Sequence, residues 1–375
     1  MSILLLLTLS SLAFYLAFVL RSAWHFAQIE RSARPQTPSP YISVVIPARN
    51  EADGIIACLE SVLQQTYPSE RFEVLLINDH STDETASLAR SLQGRYPQLS
   101  VLDLPSGERN AYKKAALAYA IERSQGEIIL QTDADCIVPT EWLATMAQQF
   151  DADTMLVSGP VHLSHTSHWL QRLQSLESMG LVALGAGSLH AGQPNMANGA
   201  NLAYRKRAFE AVGGFQDVDG VASGDDEFLL HKIHQAFPGQ VHFAKYPEAI
   251  VQTAVQNSWP ALKAQRLRWV SKARAYQNRW VNVVQLLSYL GFWSFPLLLI
   301  YGFWQPLAWG IYLLVFCLKT LIDYYLMRQA AAFFSKLPLL RSLFLLELLY
   351  TPYVLWIGLA GNIVSRYEWK GRSVK

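Results

Sequence analysis

Chemistry could be carried in this chain by carboxylates at two places and by a basic, aromatic segment at a third. Residues 126–131, Gly-Glu-Ile-Ile-Leu-Gln, form an apolar run of strand length that continues into Thr132-Asp133-Ala134-Asp135. Successive side chains of a strand point to opposite faces, so Asp133 and Asp135 converge only if the chain leaves the strand and turns at Ala134. Converging carboxylates at a strand end could clamp a hard cation and, through it, a diphosphate. Taken alone, the triplet is more simply an acidic surface turn. Asp225 and Asp226 follow Gly224 as adjacent acids. In a cleft such a pair tends to titrate apart, which leaves one member ionised as a proton acceptor. Ser223 or Asp225 could also cap a helix over Glu227–His234, whose first turn would favour acids. At the third place, Arg268 could pair with an oxyanion bidentately and Trp269 could stack on a ligand face, with Gln265 one helical turn before them. The same residues would suit a helix lying at a membrane interface.

The elements that must position these groups alternate between strand and helix. The pattern predicts strands over Tyr41–Ile46, Glu73–Ile77, Ser100–Leu102 and Glu127–Gln131, with helices over Glu51–Gln65, Asp83–Gln93 and Lys113–Arg123. Alternation of this kind implies an α/β domain with a mostly parallel sheet. Three strands end in polar residues: Pro47-Ala48-Arg49-Asn50-Glu51, Asn78-Asp79-His80-Ser81 and Asp133-Ala134-Asp135. Ligands of open α/β sheets bind beyond the carboxyl ends of the strands, so the three ends point to one crevice.

Composition adds a membrane. The chain has 375 residues, 51% of them apolar and 16% charged; the charged share falls below the soluble norm of about 25%. Charge is concentrated between residues 45 and 280. Residues 3–20 are uncharged and long enough to cross a bilayer; they lack a basic n-region and a small-x-small cleavage site, so a retained transmembrane helix is expected rather than a signal peptide. Arg21, Arg31 and Arg34 follow, which places the next domain in the cytoplasm by the positive-inside rule. Residues 35–40 form a stiff, proline-rich linker. Ser258–Tyr276 mixes Trp and apolar residues with Lys and Arg, as an interfacial helix would. Val283–Trp304, Leu307–Met327 and Leu343–Ile363 are further expected spans. Four spans put the C-terminus outside, whereas Arg366, Lys370, Arg372 and Lys375 favour inside; either the segment around Phe333–Leu340 is re-entrant or one span is misread. Lys319, Asp323 and Glu347 lie within spans, where ionisable groups mark function unless Lys319 and Asp323 snorkel from helix ends. Cys58, Cys136 and Cys317 show neither metal-ligand spacing nor a disulfide framework, which fits a reducing compartment. The resulting segments are a transmembrane helix at 1–22, a linker at 23–40, a catalytic domain at 41–256, an interfacial segment at 257–280, transmembrane helices over 281–364 and a basic tail at 365–375.

In order along the chain, Val44-Val45-Ile46-Pro47-Ala48-Arg49-Asn50-Glu51, Asn78-Asp79-His80-Ser81-Thr82-Asp83, Lys113-Lys114-Ala115-Ala116-Leu117, Asp133-Ala134-Asp135, Gly199-Ala200-Asn201-Leu202-Ala203-Tyr204-Arg205, Gly213-Gly214-Phe215, Gly224-Asp225-Asp226-Glu227 and Gln265-Arg266-Leu267-Arg268-Trp269 resemble a membrane-bound glycosyltransferase of family 2 over about residues 41–275. The resemblance implies a GT-A nucleotide-sugar domain in which Ala48, Arg49, Glu51 and Asp79 hold the nucleoside and Lys113 lies on the phosphate side. Asn78 stands where many members carry an Asp, and Tyr112 where a Gly is usual. An ordinary exposed helix start is the alternative for Lys113 and Lys114. Asp133 and Asp135 then correspond to the Asp-x-Asp, with Asp135 coordinating Mg²⁺ or Mn²⁺ against the diphosphate. Asp226 corresponds to the general base, Asp225 to a supporting acceptor, and Gln265, Arg268 and Trp269 to the acceptor and diphosphate side. Trp369-Lys370-Gly371-Arg372 resembles a stretch of some lipid-directed members, with a plain basic tail as the alternative. The implied partners are a UDP-sugar donor, a lipid or glycan acceptor and the bilayer, without nucleic acid. The implied location is a bacterial inner membrane with the catalytic domain cytoplasmic.

The expected reaction is an inverting single displacement onto a lipid, or alternatively processive polysaccharide synthesis. A nucleotidyltransferase would share the α/β domain but has no use for the acidic pair and Gln-x-x-Arg-Trp. A non-catalytic scaffold would have no reason to keep Asp79, Asp133, Asp135, Asp225 and Asp226 together.

Overall fold

The computed structural model describes residues 3–30, 39–106, 112–164, 168–218, 221, 223–363, 367–369 and 372–374. Arg31, Arg34, linker residues 35–38, Arg366, Lys370, Gly371 and Lys375 lie outside the described residues. The chain opens with α1 (Ile3–Gln28), followed by β1 (Ile42–Ala48), α2 (Ile55–Leu63), β2 (Phe72–Asn78), α3 (Thr85–Ser91), β3 (Leu99–Asp103), α4 (Tyr112–Arg123), β4 (Ile128–Gln131) and α5 (Trp142–Ala147). Next come β5 (Leu156–Ser158), β6 (Val161–Ser164), α6 (Trp169–His190), β7 (Leu202–Arg205), α7 (Lys206–Ala211), α8 (Asp225–Ala236), β8 (Val241–Phe243) and β9 (Val251–Ala254). Helices α9 (Trp259–Ser271), α10 (Arg279–Phe292), α11 (Ser294–Tyr301), α12 (Leu307–Phe333) and α13 (Leu343–Ile363) complete the main body.

Two compact units result. The α/β unit comprises Ile29–Ser164, Pro194–Val255 and the C-terminal residues; the helical unit comprises Met1–Gln28, His165–Gln193 and Gln256–Tyr367. Residues 165–193, which the sequence pattern assigns to the α/β segment, fall in the helical unit.

In the α/β unit a seven-stranded sheet runs in the order β3-β2-β1-β4-β7-β5-β8. Strands β3, β2, β1 and β4 are mutually parallel, β7 is antiparallel to both β4 and β5, and β8 is parallel to β5. β6 and β9 form a separate parallel pair. The central strands read as near-continuous apolar runs because both faces are covered: Ile42, Val44, Val45 and Ile46 are all fully buried. Against them pack Ile55, Cys58, Leu59 and Val62 of α2 and Trp142 of α5, each such side chain contributing about 1.5–3 kcal/mol through removal from water. Each of the seven predicted strands and helices up to Gln131 forms. α2 begins later than the predicted Glu51, because 51–54 make a turn in which the Glu51 carbonyl accepts from the Gly54 and Ile55 amides at 3.0 and 2.9 Å. α8 starts at Asp225, and neither Ser223 nor Asp225 caps it; the capping position is Gly224, whose φ of 81° favours glycine.

In the helical unit, four segments are long and apolar enough to cross a membrane: Ile3–Gln28, Arg279–Tyr301, Leu307–Phe333 and Leu337–Gly361. α1 packs closely on two neighbours through glycines. A Cβ on Gly187 of α6 would lie 1.9 Å from the Ser22 carbonyl oxygen, and one on Gly291 of α10 would lie 2.8 Å from Leu12 Cα. Lys319 does not snorkel: it is buried, with its ammonium 2.7 Å from Asp323 and also paired with Glu347 of α13. The three charges therefore tie α12 to α13, which is how ionisable groups are tolerated in such surroundings.

Candidate active site

The β1–β2 register sets Ala48 opposite Asn78, so the loops that leave these strands run side by side. They are closed onto each other by hydrogen bonds. The Asp79 amide donates to the Ala48 carbonyl at 2.8 Å, and the Arg49 guanidinium donates to the carbonyls of Asp79 (2.8 Å) and His80 (2.6 Å). The Asn50 side-chain oxygen accepts from the Thr82 amide at 2.8 Å, and the Glu51 amide donates to the Thr85 hydroxyl at 2.8 Å. Asn50 and His80 sit in the left-handed region at φ 50° and 54°, which Asn and His tolerate better than most residues. Asp79 is buried, with one carboxylate oxygen 3.1 Å from His80 Nδ1. Asn78 is committed to the scaffold: its amide nitrogen donates to Asp103 at 2.7 Å and its oxygen accepts from the Ser81 amide at 3.1 Å.

One strand over, β4 delivers the acidic turn. Lys113, at the start of α4, lies between two carboxylates, 2.6 Å from Asp133 Oδ1 and 3.3 Å from Asp225 Oδ2. Gln131 Nε2 donates to the same Asp225 oxygen at 2.7 Å. Gly199 presses against this cluster; a Cβ there would stand 2.9 Å from Gln131 Nε2, 3.0 Å from Asp225 Oδ2 and 3.1 Å from Lys113 Nζ. Its bare amide instead donates to Asp226 Oδ2 at 2.9 Å, while Asp226 Oδ1 accepts from the Glu227 amide at 2.8 Å. Asp226 thus faces the loop that returns into β7, with one lone pair of each oxygen still open among the described residues. Asn201 pins that loop: it is fully buried, donates to the carbonyls of Pro160 (2.9 Å) and Ala249 (2.8 Å), and accepts from the Trp142 indole at 3.0 Å.

Burial alone would raise the Asp225 carboxyl, but the Lys113 ammonium and the Gln131 amide outweigh it and hold Asp225 below the usual carboxylate range. Burial likewise opposes charge on Lys113, and Asp133 and Asp225 reverse the balance, holding the ammonium above the ordinary lysine value. The exposed-helix-start alternative fails for both lysines. Lys114 is buried and donates to three carbonyls, Val218 at 2.8 Å, Val221 at 2.6 Å and Ser223 at 3.0 Å, fixing the approach to Asp225-Asp226.

Asp135 is exposed beyond the turn and Asp133 is partly buried. Among the described residues no cluster of three His, Cys, Asp or Glu side chains forms a self-contained metal site. The two carboxylates fit a hard cation such as Mg²⁺ or Mn²⁺, which accepts one or two carboxylates and completes its shell with other oxygens and water.

Gln265, Arg268 and Trp269 belong to α9, in the helical unit. Their neighbour Arg266, expected among the interfacial cations, is instead buried, 2.5 Å from Glu177 of α6 and 2.8 Å from the Tyr353 hydroxyl of α13. Gly199 and Arg266 lie inside motif stretches and Gln131 ends the strand before the acidic turn, but none of the three is among the expected site residues. Gln131 could have been found as the polar end of a buried strand, one residue from the acidic turn.

The model of glycosyl transferase family 21 matches residues 3–375. Glycosyltransferase AglE of Haloferax volcanii is 31% identical over 179 residues, 47% of this chain and 56% of that protein. The β-monoglucosyldiacylglycerol synthase of Synechocystis is 26% identical over 339 residues, 86% of this chain and 64% of that protein. A poly-β-1,6-N-acetyl-D-glucosamine synthase of Staphylococcus epidermidis is 25% identical over 258 residues, 68% of this chain and 59% of that protein. The matches thus span less than two thirds of these relatives' own lengths. Among solved structures, the mannosyltransferase PcManGT from Pyrobaculum calidifontis, in complex with GDP-Man and Mn²⁺, superposes with a TM-score of 0.61 at 21% identity, covering 89% of this chain and 99% of that one. At that identity the likeness shows the shared GT-A-like fold. The motif series that resembles family 2 stops at about residue 275, whereas the family 21 match takes in the terminal helices as well; the family 2 expectation is corrected on that ground. The chain belongs to glycosyl transferase family 21.

Proposed function

We propose that this glycosyltransferase moves a sugar from a UDP-sugar to a membrane-associated acceptor, a lipid, with inversion at the anomeric carbon. The observation that carries this assignment is the Lys113 ammonium between Asp133 and Asp225, beside the carboxylate of Asp226. Asp225 is buried with Lys113 and Gln131 both on its Oδ2, so it serves as a fixed counter-charge. Asp226 is the better proton acceptor. Its two amide bonds aim the carboxylate, and its open lone pairs take the proton of the acceptor hydroxyl while that oxygen attacks the anomeric carbon and the bond to UDP breaks. Lys113 turns toward the leaving diphosphate and offsets its charge. A Mg²⁺ or Mn²⁺ ion held by Asp135 and Asp133 would supply further stabilisation of the leaving group. Ala48, Arg49, Glu51 and Asp79, at the closed β1–β2 loops, hold the nucleoside, and Gln265, Arg268 and Trp269 receive the acceptor and diphosphate.

The lipid acceptor is supported by the four membrane-length helices and by the diacylglycerol lipid in the name of the cyanobacterial relative. The staphylococcal relative's name favours a polysaccharide product instead. Arg21 directly after the apolar core of α1 supports a cytoplasmic face for the α/β unit. The protein in detergent, given a panel of UDP-sugars, diacylglycerol in mixed micelles and Mn²⁺, should yield UDP and glycolipid. Asp226→Asn should lower kcat by about 10³-fold with donor KM little changed, and Asp135→Ala should raise the Mn²⁺ concentration required. Undiminished turnover by Asp226→Asn removes the base assignment; long polymer as the product removes the lipid.

A further inference from the structure

We propose that Arg266 is the positioning residue for the acceptor-side groups Gln265 and Trp269, and that Glu177 and Tyr353 hold it in place. This deepens the reading above and rests on its assignment of Gln265 and Trp269 to the acceptor.

One guanidinium makes four contacts in different directions. Its Nη2 lies 2.5 Å from Glu177 Oε2, its Nε donates to the Tyr353 hydroxyl at 2.8 Å, its Nη1 donates to Gln265 Oε1 at 3.1 Å, and its central carbon stands 4.2 Å from the centre of the Trp269 ring. Two contacts anchor the group and two are exerted on motif residues. Residues 266 and 269 are neighbours on one helical face, so the guanidinium plane can lie over the indole. Glu177 and Arg266 are both largely buried, at 12% and 4% side-chain exposure. Burial works against charge on Arg266; the Glu177 carboxylate and the Tyr353 hydroxyl outweigh it and keep the group cationic. A planar fork can satisfy these partners together, whereas lysine offers a single point charge.

The arrangement joins three distant stretches of chain: α6 through Glu177, α9 through Arg266, and α13 through Tyr353, which directly follows Pro352 inside that helix. It fixes the Trp269 ring and the Gln265 amide before any acceptor arrives. Pre-positioned groups make an acceptor reactive because the ordering has already been done. A plain structural staple between helices would use Glu177 and Tyr353 but would have no need of Gln265 or Trp269.

The test uses the full chain in detergent with the donor it turns over and diacylglycerol in mixed micelles, comparing Glu177→Gln, Glu177→Asp, Arg266→Lys, Trp269→Ala and the double variant Glu177→Gln/Trp269→Ala. Glu177→Gln and Arg266→Lys should each lower kcat/KM for the acceptor on the order of 10²-fold, the effect of a misplaced reacting group, while donor KM and acceptor-independent donor hydrolysis stay near wild type. Glu177→Asp should recover part of the loss. The double variant should be no worse than Trp269→Ala alone. The proposal falls if folded Glu177→Gln transfers normally, if donor and acceptor constants worsen together, if the two losses multiply, or if neither Glu177→Gln nor Arg266→Lys folds, which marks a staple. Normal transfer by Trp269→Ala would instead remove the acceptor assignment itself.

Discussion

Replacing Lys113 by methionine keeps the length of the side chain and removes the one cation that Asp133 and Asp225 share. At 2.6 and 3.3 Å, with an effective dielectric of about 20, the gross attractions are about 6 and about 5 kcal/mol. Desolvation offsets most of this, and removing one partner of a buried pair costs about 3–5 kcal/mol. The Lys113 side chain is 20% exposed and Asp133 is 36% exposed, so solvent screens part of the loss and about 2–3 kcal/mol remains. Asp225, at 8% exposure, carries most of it, because it loses the Lys113 ammonium and keeps only the Gln131 amide and the weaker influence of Lys114. Lys113→Met should therefore lower the thermal midpoint, and adding Asp225→Asn should restore much of the loss by removing the stranded carboxylate. In turnover, the missing counter-charge for the departing diphosphate should lower kcat by about 10²–10³-fold. The assay is a double-mutant cycle over the two positions, read by thermal unfolding and by UDP release. Additive losses in stability would show that the two charges are not coupled, and wild-type kcat in Lys113→Met would refute a role for the ammonium in leaving-group stabilisation.

Two further outcomes are expected. Asn201→Ala should cost about 3–4 kcal/mol, because the Trp142 indole and the carbonyls of Pro160 and Ala249 lose their partner inside the core; unfolding by denaturant measures it, and a loss under about 1 kcal/mol would contradict the burial argument. The contribution of the Lys113–Asp225 pair to stability should be flat across neutral pH. Asp225 is depressed, so its share is present above the ordinary carboxylate value and fades as pH falls through its folded value; Lys113 is raised, so its share is present below the ordinary lysine value and fades as pH rises beyond it. The stability difference between wild type and Asp225→Asn should stay constant from about pH 5 to about pH 9 and narrow outside that window. A transition in that difference between pH 6 and 8 would contradict the assignment.

The sheet and the edge that carries the candidate site are legible because the central strands are apolar on both faces and their polar ends are short and abrupt. Ile42–Ala48, Phe72–Asn78 and Ile128–Gln131 stand out as runs, and parallel pairing then fixes which ends lie together. Side-chain burial was less legible. Lys114 and Arg266 look like surface cations because the sequence does not reveal three carbonyls converging from residues 218–223, or a glutamate arriving from 89 positions away. Asn78 resembles a substituted site residue, yet its neighbours Ser81 and Asp103 use both ends of its amide. Helix α6 is not legible in the sequence because Gln171, Arg172, Gln174 and Glu177 interrupt its apolar pattern, although Gln174 and Glu177 have partners within the helical unit.

That helix also sets how the chain can be cut. Ending it near residue 255 removes α9 to α13 but leaves α6 between the two pieces of the α/β unit. The part of α6 that packs on α12 and α13 would then meet water, while α1 still packs on it. A soluble catalytic fragment is therefore expected to aggregate unless residues 165–193 are replaced by a short polar connector from Ser164 to Pro194, so that what resembles one continuous domain must be expressed as two spliced halves.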